Sequence, residues 1–186
     1  MEGHITAEWC RRALEILGGP LVKELLDGRT PRLVVATFAE RKVGDEREVP
    51  AYPPAMRVAS APETDAEFKE YLLDDVVHRF PIAVVEVPVA AEHLSDWGLP
   101  SEGRILERWT QHNSGSAVAV SGSAVDLAEL LDCRGLGPGA VIGFVDPGAD
   151  EALRAGNTHK LLSMDATVLI PVFDDEGLAV IDLPAP

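Results

Sequence analysis

The sequence predicts an α+β fold: a single domain with a mixed, largely antiparallel sheet, several amphipathic helices and a helical N-terminal lead-in. Three observations carry that expectation. A chain of 186 residues is long enough to bury a core without disulfides or a structural metal. Its apolar residues are mostly Val, Leu, Ile and Ala, with aromatics at only 5%, the balance of proteins that pack helices on a sheet. Strand-like runs also come in neighbouring pairs with helical runs between them, which departs from the strict alternation that builds a parallel sheet.

Taken in order, Trp9, Cys10, Ala13, Ile16 and Leu17 share one helical face, and Thr6 is placed to cap the first turn. Gly18 and Gly19 end that helix. Pro20 suits the first position of a second helix, which runs through Leu26 and is closed by Gly28. Residues Arg32–Glu40 read as a strand around Leu33-Val34-Val35-Ala36-Thr37-Phe38, and a charged turn at Gly44-Asp45 would return it as a hairpin through Val49. Residues 50–63 hold Pro50, Pro53, Pro54 and Pro62 and form an extended connector. One domain over 1–186 is the expected organisation, because the first sixty residues carry few apolar groups for a core of their own. Sub-lobes over 1–50 and 64–186 are the alternative.

Beyond the connector, Thr64-Asp65-Ala66-Glu67 has the form of a capping box ahead of an amphipathic helical run to Phe80. Pro81 leads into Ile82-Ala83-Val84-Val85-Glu86-Val87, apolar enough for an interior strand covered on both faces. A short helix near Ala90–Trp97 follows, then strands at Arg104–Trp109 and Ala117–Val120, a helix at Ala124–Cys133 capped by Ser123, and a strand at Ala140–Val145. Thr167–Phe173 and Leu178–Leu183, around Asp174-Asp175-Glu176-Gly177, read as a hairpin in which Pro171 removes a ladder donor and points to an edge or a bulge.

Charge divides the chain unevenly. Residues 1–60 balance nine acidic against nine basic side chains, whereas residues 61–186 carry twenty-two against seven, which accounts for the whole net charge of −15. Phosphate neutralisation needs a Lys/Arg footprint, so nucleic acid is excluded as a partner, and an anionic membrane surface is disfavoured for the same reason. Arg29, Arg32, Arg41, Lys42, Arg47 and Arg57 gather locally, but acids dilute them. No apolar stretch reaches the roughly 18 residues of a membrane span. The start, Met1-Glu2-Gly3-His4-Ile5, lacks the basic and apolar runs of a secretory signal, so a soluble, cytoplasmic protein is expected. Arg outnumbers Lys by twelve to four, a bias expected from a GC-rich genome, actinomycete or haloarchaeal.

Motifs of chemistry are sparse. The cluster Gly135-Leu136-Gly137-Pro138-Gly139 follows a predicted helix and precedes a strand, the reverse of a dinucleotide-binding loop, and no cofactor is implied. Ser121-Gly122-Ser123 runs from a strand into a helix start, where capping by Ser123 accounts for it. Cys10 and Cys133 read as reduced core thiols. Five histidines, His4, His78, His93, His112 and His159, show no metal-ligand spacing. Asp74 and His78, four apart, and His93 and Asp96, three apart, have the spacing of a carboxylate-held base or of a surface ion pair. Trp109-Thr110-Gln111-His112-Asn113 places an aromatic and polar groups after a predicted strand, so the wall of any small-molecule pocket is expected at Trp109, His112 and Asn113. The catalytic candidates are therefore His112, Asn113, His78 and Asp74.

Acidic side chains give the most specific pattern. Glu67, Glu70 and Asp74 line the polar side of one predicted helix, Asp126, Glu129 and Asp132 recur on another, and Asp174, Asp175 and Glu176 occupy a hairpin tip. Such ridges serve either as a solvated, salt-tolerant surface or as a docking face. The leading expectation is a small bacterial protein-binding module whose acidic face docks on a basic protein partner, in the manner of an immunity protein, an antitoxin or an inhibitor. The alternatives are an enzyme with a His/carboxylate site for a small neutral or cationic substrate, and a structural homo-oligomer joined through an edge strand near Pro171.

Overall fold

A computed structural model describes residues 2–38, 80–87, 89–97, 103–110, 115–121, 140–172 and 177–186. Within them the apolar runs become seven strands: β1 (Arg32–Phe38), β2 (Ile82–Val87), β3 (Arg104–Ile105), β4 (Ser116–Ser121), β5 (Ala140–Phe144), β6 (Ala166–Val172) and β7 (Gly177–Leu183). They form one sheet in the order β1-β7-β6-β5-β2-β4-β3, so the fold is α+β. Each pairing among these strands is antiparallel. β1, which precedes the proline-rich connector, lies beside β7 at the far end of the chain. The connector itself, the predicted Gly44-Asp45 turn, and the expected helices over 64–80 and 124–133 lie outside the described residues.

Register explains why β2 lacks alternation. Val84, Ile142, Val168, Ile181 and Leu33 stand in one row across the sheet, and Val85, Val141, Leu169 and Val180 in the next, on the opposite face. The residues of both rows in β2, β5, β6 and β7 are buried, so the interior strands are apolar on both faces, as the unbroken 82–87 run requires. The first face packs against α1 (Glu2–Leu17), α2 (Pro20–Leu26), α3 (Gly148–Arg154) and α4 (Thr158–Leu161) in one continuous core.

Several local expectations change. α1 starts at Glu2, so Thr6 lies inside the helix instead of capping it. Its buried stripe is Trp9, Cys10, Ala13 and Leu14, with Leu17 packed beside it, while Ile16 stands 36% exposed at the edge of the stripe. The expected strand Arg104–Trp109 is only Arg104–Ile105; Glu107–Trp109 is a 3-10 turn closed by the Trp109 N–H on the Leu106 carbonyl at 3.0 Å. A strand would send Leu106 and Trp109 to opposite faces, whereas a turn with three-residue spacing buries both in the same core. β6 is no edge: it lies between β5 and β7, and Pro171 falls beyond the last β5 rung at Leu169. Among the described residues the sheet ends on β1 and β3. α3 and α4 were not predicted. Asp150 and Arg154 pair at 2.9 Å along α3, and the Asn157 side chain accepts the Lys160 N–H at 3.1 Å to cap α4.

Two buried ionisable groups join the lead-in helices to the sheet. Glu86, 4% exposed, projects from β2 on the same face as Ile82 and Val84 and accepts the N–H groups of Gly19 at 2.9 Å and Leu21 at 2.7 Å. It therefore caps the start of α2 from a strand 65 residues away, where the first amides have no intrahelical partner. The approach requires glycine at position 19, since a Cβ there would lie 2.6 Å from the carboxylate. Arg29, 2% exposed, follows Gly28, whose positive φ of 69° turns the chain at the end of α2. Its guanidinium donates to the carbonyls of Met164 at 2.6 Å, Leu183 at 2.7 Å and Leu162 at 2.5 Å, while its own carbonyl accepts from Arg11. The end of α2, the turn after α4 and the end of β7 thus meet on one side chain.

These joints make two predictions. Burial raises the Glu86 pKa above its ordinary value, against the lowering effect of the Leu21, Gly19 and Val22 amides and of Lys23. Between the ordinary and the raised value the folded protein holds a proton that the unfolded chain has lost, so this group adds stability as pH falls through that window. Urea unfolding from about pH 7 to about pH 5 should show the native protein gaining on Glu86→Gln, and a pH-independent difference contradicts the assignment. Replacing Arg29 by Met leaves three carbonyls without their donor and should lower unfolding free energy by at least about 2 kcal/mol in the same assay; a neutral result contradicts the joint.

Candidate functional site

An open cleft of about 370 Å³ lies where the β3 end of the sheet meets α3 and α4. Its walls come from two stretches of sequence, Arg104–Trp109 and Ala152–Leu161. The first stretch is shaped by the turn that buries Leu106 and Trp109. The second is shaped by the end of α3, where Gly156 has a φ of 66° and the Asn157 N–H returns to the Ala152 carbonyl at 2.8 Å. That reversal brings Asn157 and Thr158 alongside Leu153, so polar groups stand at the rim of an apolar floor formed by Ala152, Leu153, Leu161, Leu106 and Trp109.

Two arginines border the cleft in different ways. Arg108 is tied down: one nitrogen donates to the Thr158 hydroxyl at 2.5 Å, another pairs with Glu24 of α2 at 3.1 Å, and the guanidinium carbon lies 5.4 Å from the centre of the Trp109 ring. Arg104 bonds only to carbonyl oxygens at the last turn of α3, those of Leu153 at 3.2 Å, which also accepts the Gly156 N–H, and of Arg154 at 3.3 Å. Trp109 is 3% exposed, and its indole Nε1–H is buried without a hydrogen-bond partner. The lining thus offers guanidinium, amide, hydroxyl and carboxylate groups around an indole, a set suited to holding a small ligand.

Of the residues expected around a pocket, Trp109 is placed on the wall of this one. His112, Asn113, His78 and Asp74 lie outside the described residues, as do Glu67, Glu70, Asp126, Glu129, Asp132, Asp174, Asp175 and Glu176. His93 is 60% exposed, 3.9 Å from Asp96 and 3.8 Å from Glu92, and forms a loose surface contact instead of a held base. Among the described residues no group of three His, Cys, Asp or Glu side chains could hold a metal ion. Nor is any described helix long and apolar enough to cross a membrane.

Arg104, Arg108, Asn157 and Thr158 had no sequence signal as site residues. The two halves of the cleft are some fifty residues apart, and only the sheet and the α3–α4 reversal bring them together. Comparison with known protein families, with curated proteins and with solved structures finds no match for this chain.

Cys10 behaves as expected of a core thiol. It is fully buried and free, and desolvation pushes its pKa up to about 12. In a Cys133→Ser background, iodoacetamide at neutral pH should leave the native protein unmodified for as long as it stays folded and label it rapidly in urea; fast labelling without denaturant contradicts this placement.

Proposed function

We propose that this chain is a cytoplasmic protein-binding module whose acid-rich part, residues 61–186, docks on a basic protein partner. The observation that carries the reading is the segregation of charge, twenty-two acidic against seven basic side chains over that stretch. The described surface adds support. Of those seven, Arg104 and Arg108 line the cleft, and Arg154 and Lys160 stand on the two helices that wall it. Glu92, Asp96, Glu107, Asp146, Glu151 and Asp165 are exposed on the described part of the same stretch, so acids dominate its described surface even where these bases lie. Among the described residues the groups with displaced pKa values, Cys10, Arg29 and Glu86, sit within the packing of α1 and α2. Their perturbation is accounted for by the fold, which favours binding over acid/base chemistry at these positions.

A complementary charged face accelerates encounter and makes it sensitive to salt. Affinity capture from the source organism's lysate should recover a basic protein at low ionic strength and release it at about 0.5 M salt, where screening acts within about 4 Å. Charge reversal at Glu67, Glu70 and Asp74, or at Asp126, Glu129 and Asp132, should weaken that binding at least about tenfold while leaving the unfolding midpoint within a few degrees. Binding indifferent to both salt and charge reversal contradicts the proposal.

A further inference from the structure

We infer that the cleft between the Arg104–Trp109 turn and the α3–α4 reversal binds a small organic monocarboxylate with an apolar body, its carboxylate held by Arg104. This is separate from docking through the acidic surface and stands without it.

Charge selects the ligand class. Arg104 and Arg108 line the cleft together with Glu107, and Asp150 and Glu151 stand with Arg154 on the helix beside it, so what decides the ligand is the cation left without a carboxylate. Those cations are not equally available. Arg108 is engaged by Glu24 and Thr158, and Arg154 by Asp150. Arg104 meets only carbonyl oxygens, which leaves its positive charge without a carboxylate partner among the described residues. A guanidinium in that state matches a carboxylate in shape and in charge. Glu107 on the lining and Glu24 beside Arg108 set an upper limit: one negative charge is balanced, and a second, as on a phosphate monoester, is repelled.

Shape and polarity select the rest. A volume of about 370 Å³ lies near the lower end of the roughly 300–1,000 Å³ of small-molecule sites. Leu106, Leu153, Leu161 and Trp109 offer the body of the ligand an apolar, partly aromatic floor. The Trp109 ring of that floor carries a buried Nε1–H without a hydrogen-bond partner. An orphaned buried donor costs about 1–3 kcal/mol, and an acceptor brought into the cleft gives the ring a reason to adjust and satisfy it.

The test uses the full chain, labelled with ¹⁵N, and titrates phenylacetate, indole-3-acetate and hexanoate against their uncharged amides and against phenyl phosphate. Trp109→Phe identifies the Trp109 indole resonance. At least one carboxylate should shift that resonance with a Kd of about 1 mM or tighter. Its amide should bind at least about tenfold more weakly, and Arg104→Gln should weaken the carboxylate by about the same factor, as expected for a lost charge-assisted bond. Arg104 is exposed and its two carbonyl contacts are long, so an unchanged unfolding midpoint is expected for Arg104→Gln. The inference is overturned by equal binding of acid and amide, by an Arg104→Gln variant that binds as tightly as the native protein, by no carboxylate shifting the Trp109 resonance, or by phenyl phosphate binding more tightly than every carboxylate.

Discussion

The contact of Glu86 with the start of α2 decides how the N-terminal helices meet the sheet. Burying a carboxylate among valines is unfavourable unless donors replace the water it loses, and the exposed amides at the beginning of a helix are such donors. β2 supplies the carboxylate and α2 supplies the amides, so neither is satisfied without the other. Gly18 and Gly19 let the chain pass from α1 into α2 at that point, and side chains of any size at position 19 would collide with the carboxylate. The apolar stripes of Trp9, Cys10, Ala13 and Leu14 and of Leu21, Val22, Leu25 and Leu26 then have one seat on the sheet. Hydrophobic burial provides the driving force and the polar contact provides the register.

Arg29 extends the same logic to the other end of the chain. A helix terminus, a turn and a strand end each expose carbonyls that must find donors, and one guanidinium serves all three. Asp165, near enough to favour its charged form, is exposed and partly offsets the desolvation that lowers the Arg29 pKa. Both buried charges are thereby committed to architecture, which directs attention for function to the surface and to the cleft.

How much of this was legible follows from sequence distance. α1 and α2 could be read because their signals are local: an apolar stripe, a Gly-Gly stop, a Pro start and a Gly end. The β6–β7 hairpin was equally local. Glu86 was visible only as one acid within an apolar run, and the need for a partner could have been stated, but not that Gly19 and Leu21 would provide it. The short α3 and α4 were hidden because Asp146-Pro147-Gly148 and Gly156-Asn157 resemble turns, and helices of seven and four residues are held by packing more than by propensity. Trp109 lines the cleft, but as a buried side chain of a 3-10 turn and not on a loop after a strand. The arginines of the cleft were unreadable, since nothing in the chain pairs residue 104 with residue 153.

Charge is the property that links the fold to its proposed roles. Acids outnumber bases threefold beyond residue 60, the imbalance behind the proposed basic partner, while Arg104 in the cleft is a cation without a carboxylate partner among the described residues, the basis of the proposed small-anion site. All of this presumes that α2 is seated on β2 by Glu86, which also positions Glu24 against Arg108. Amide hydrogen exchange at Gly19 and Leu21 addresses that seating most directly, because amides at the start of an isolated helix have no internal acceptor. The account predicts that both exchange as slowly as the interior amides of β2, whereas exchange at the rate of a fraying helix end would contradict it.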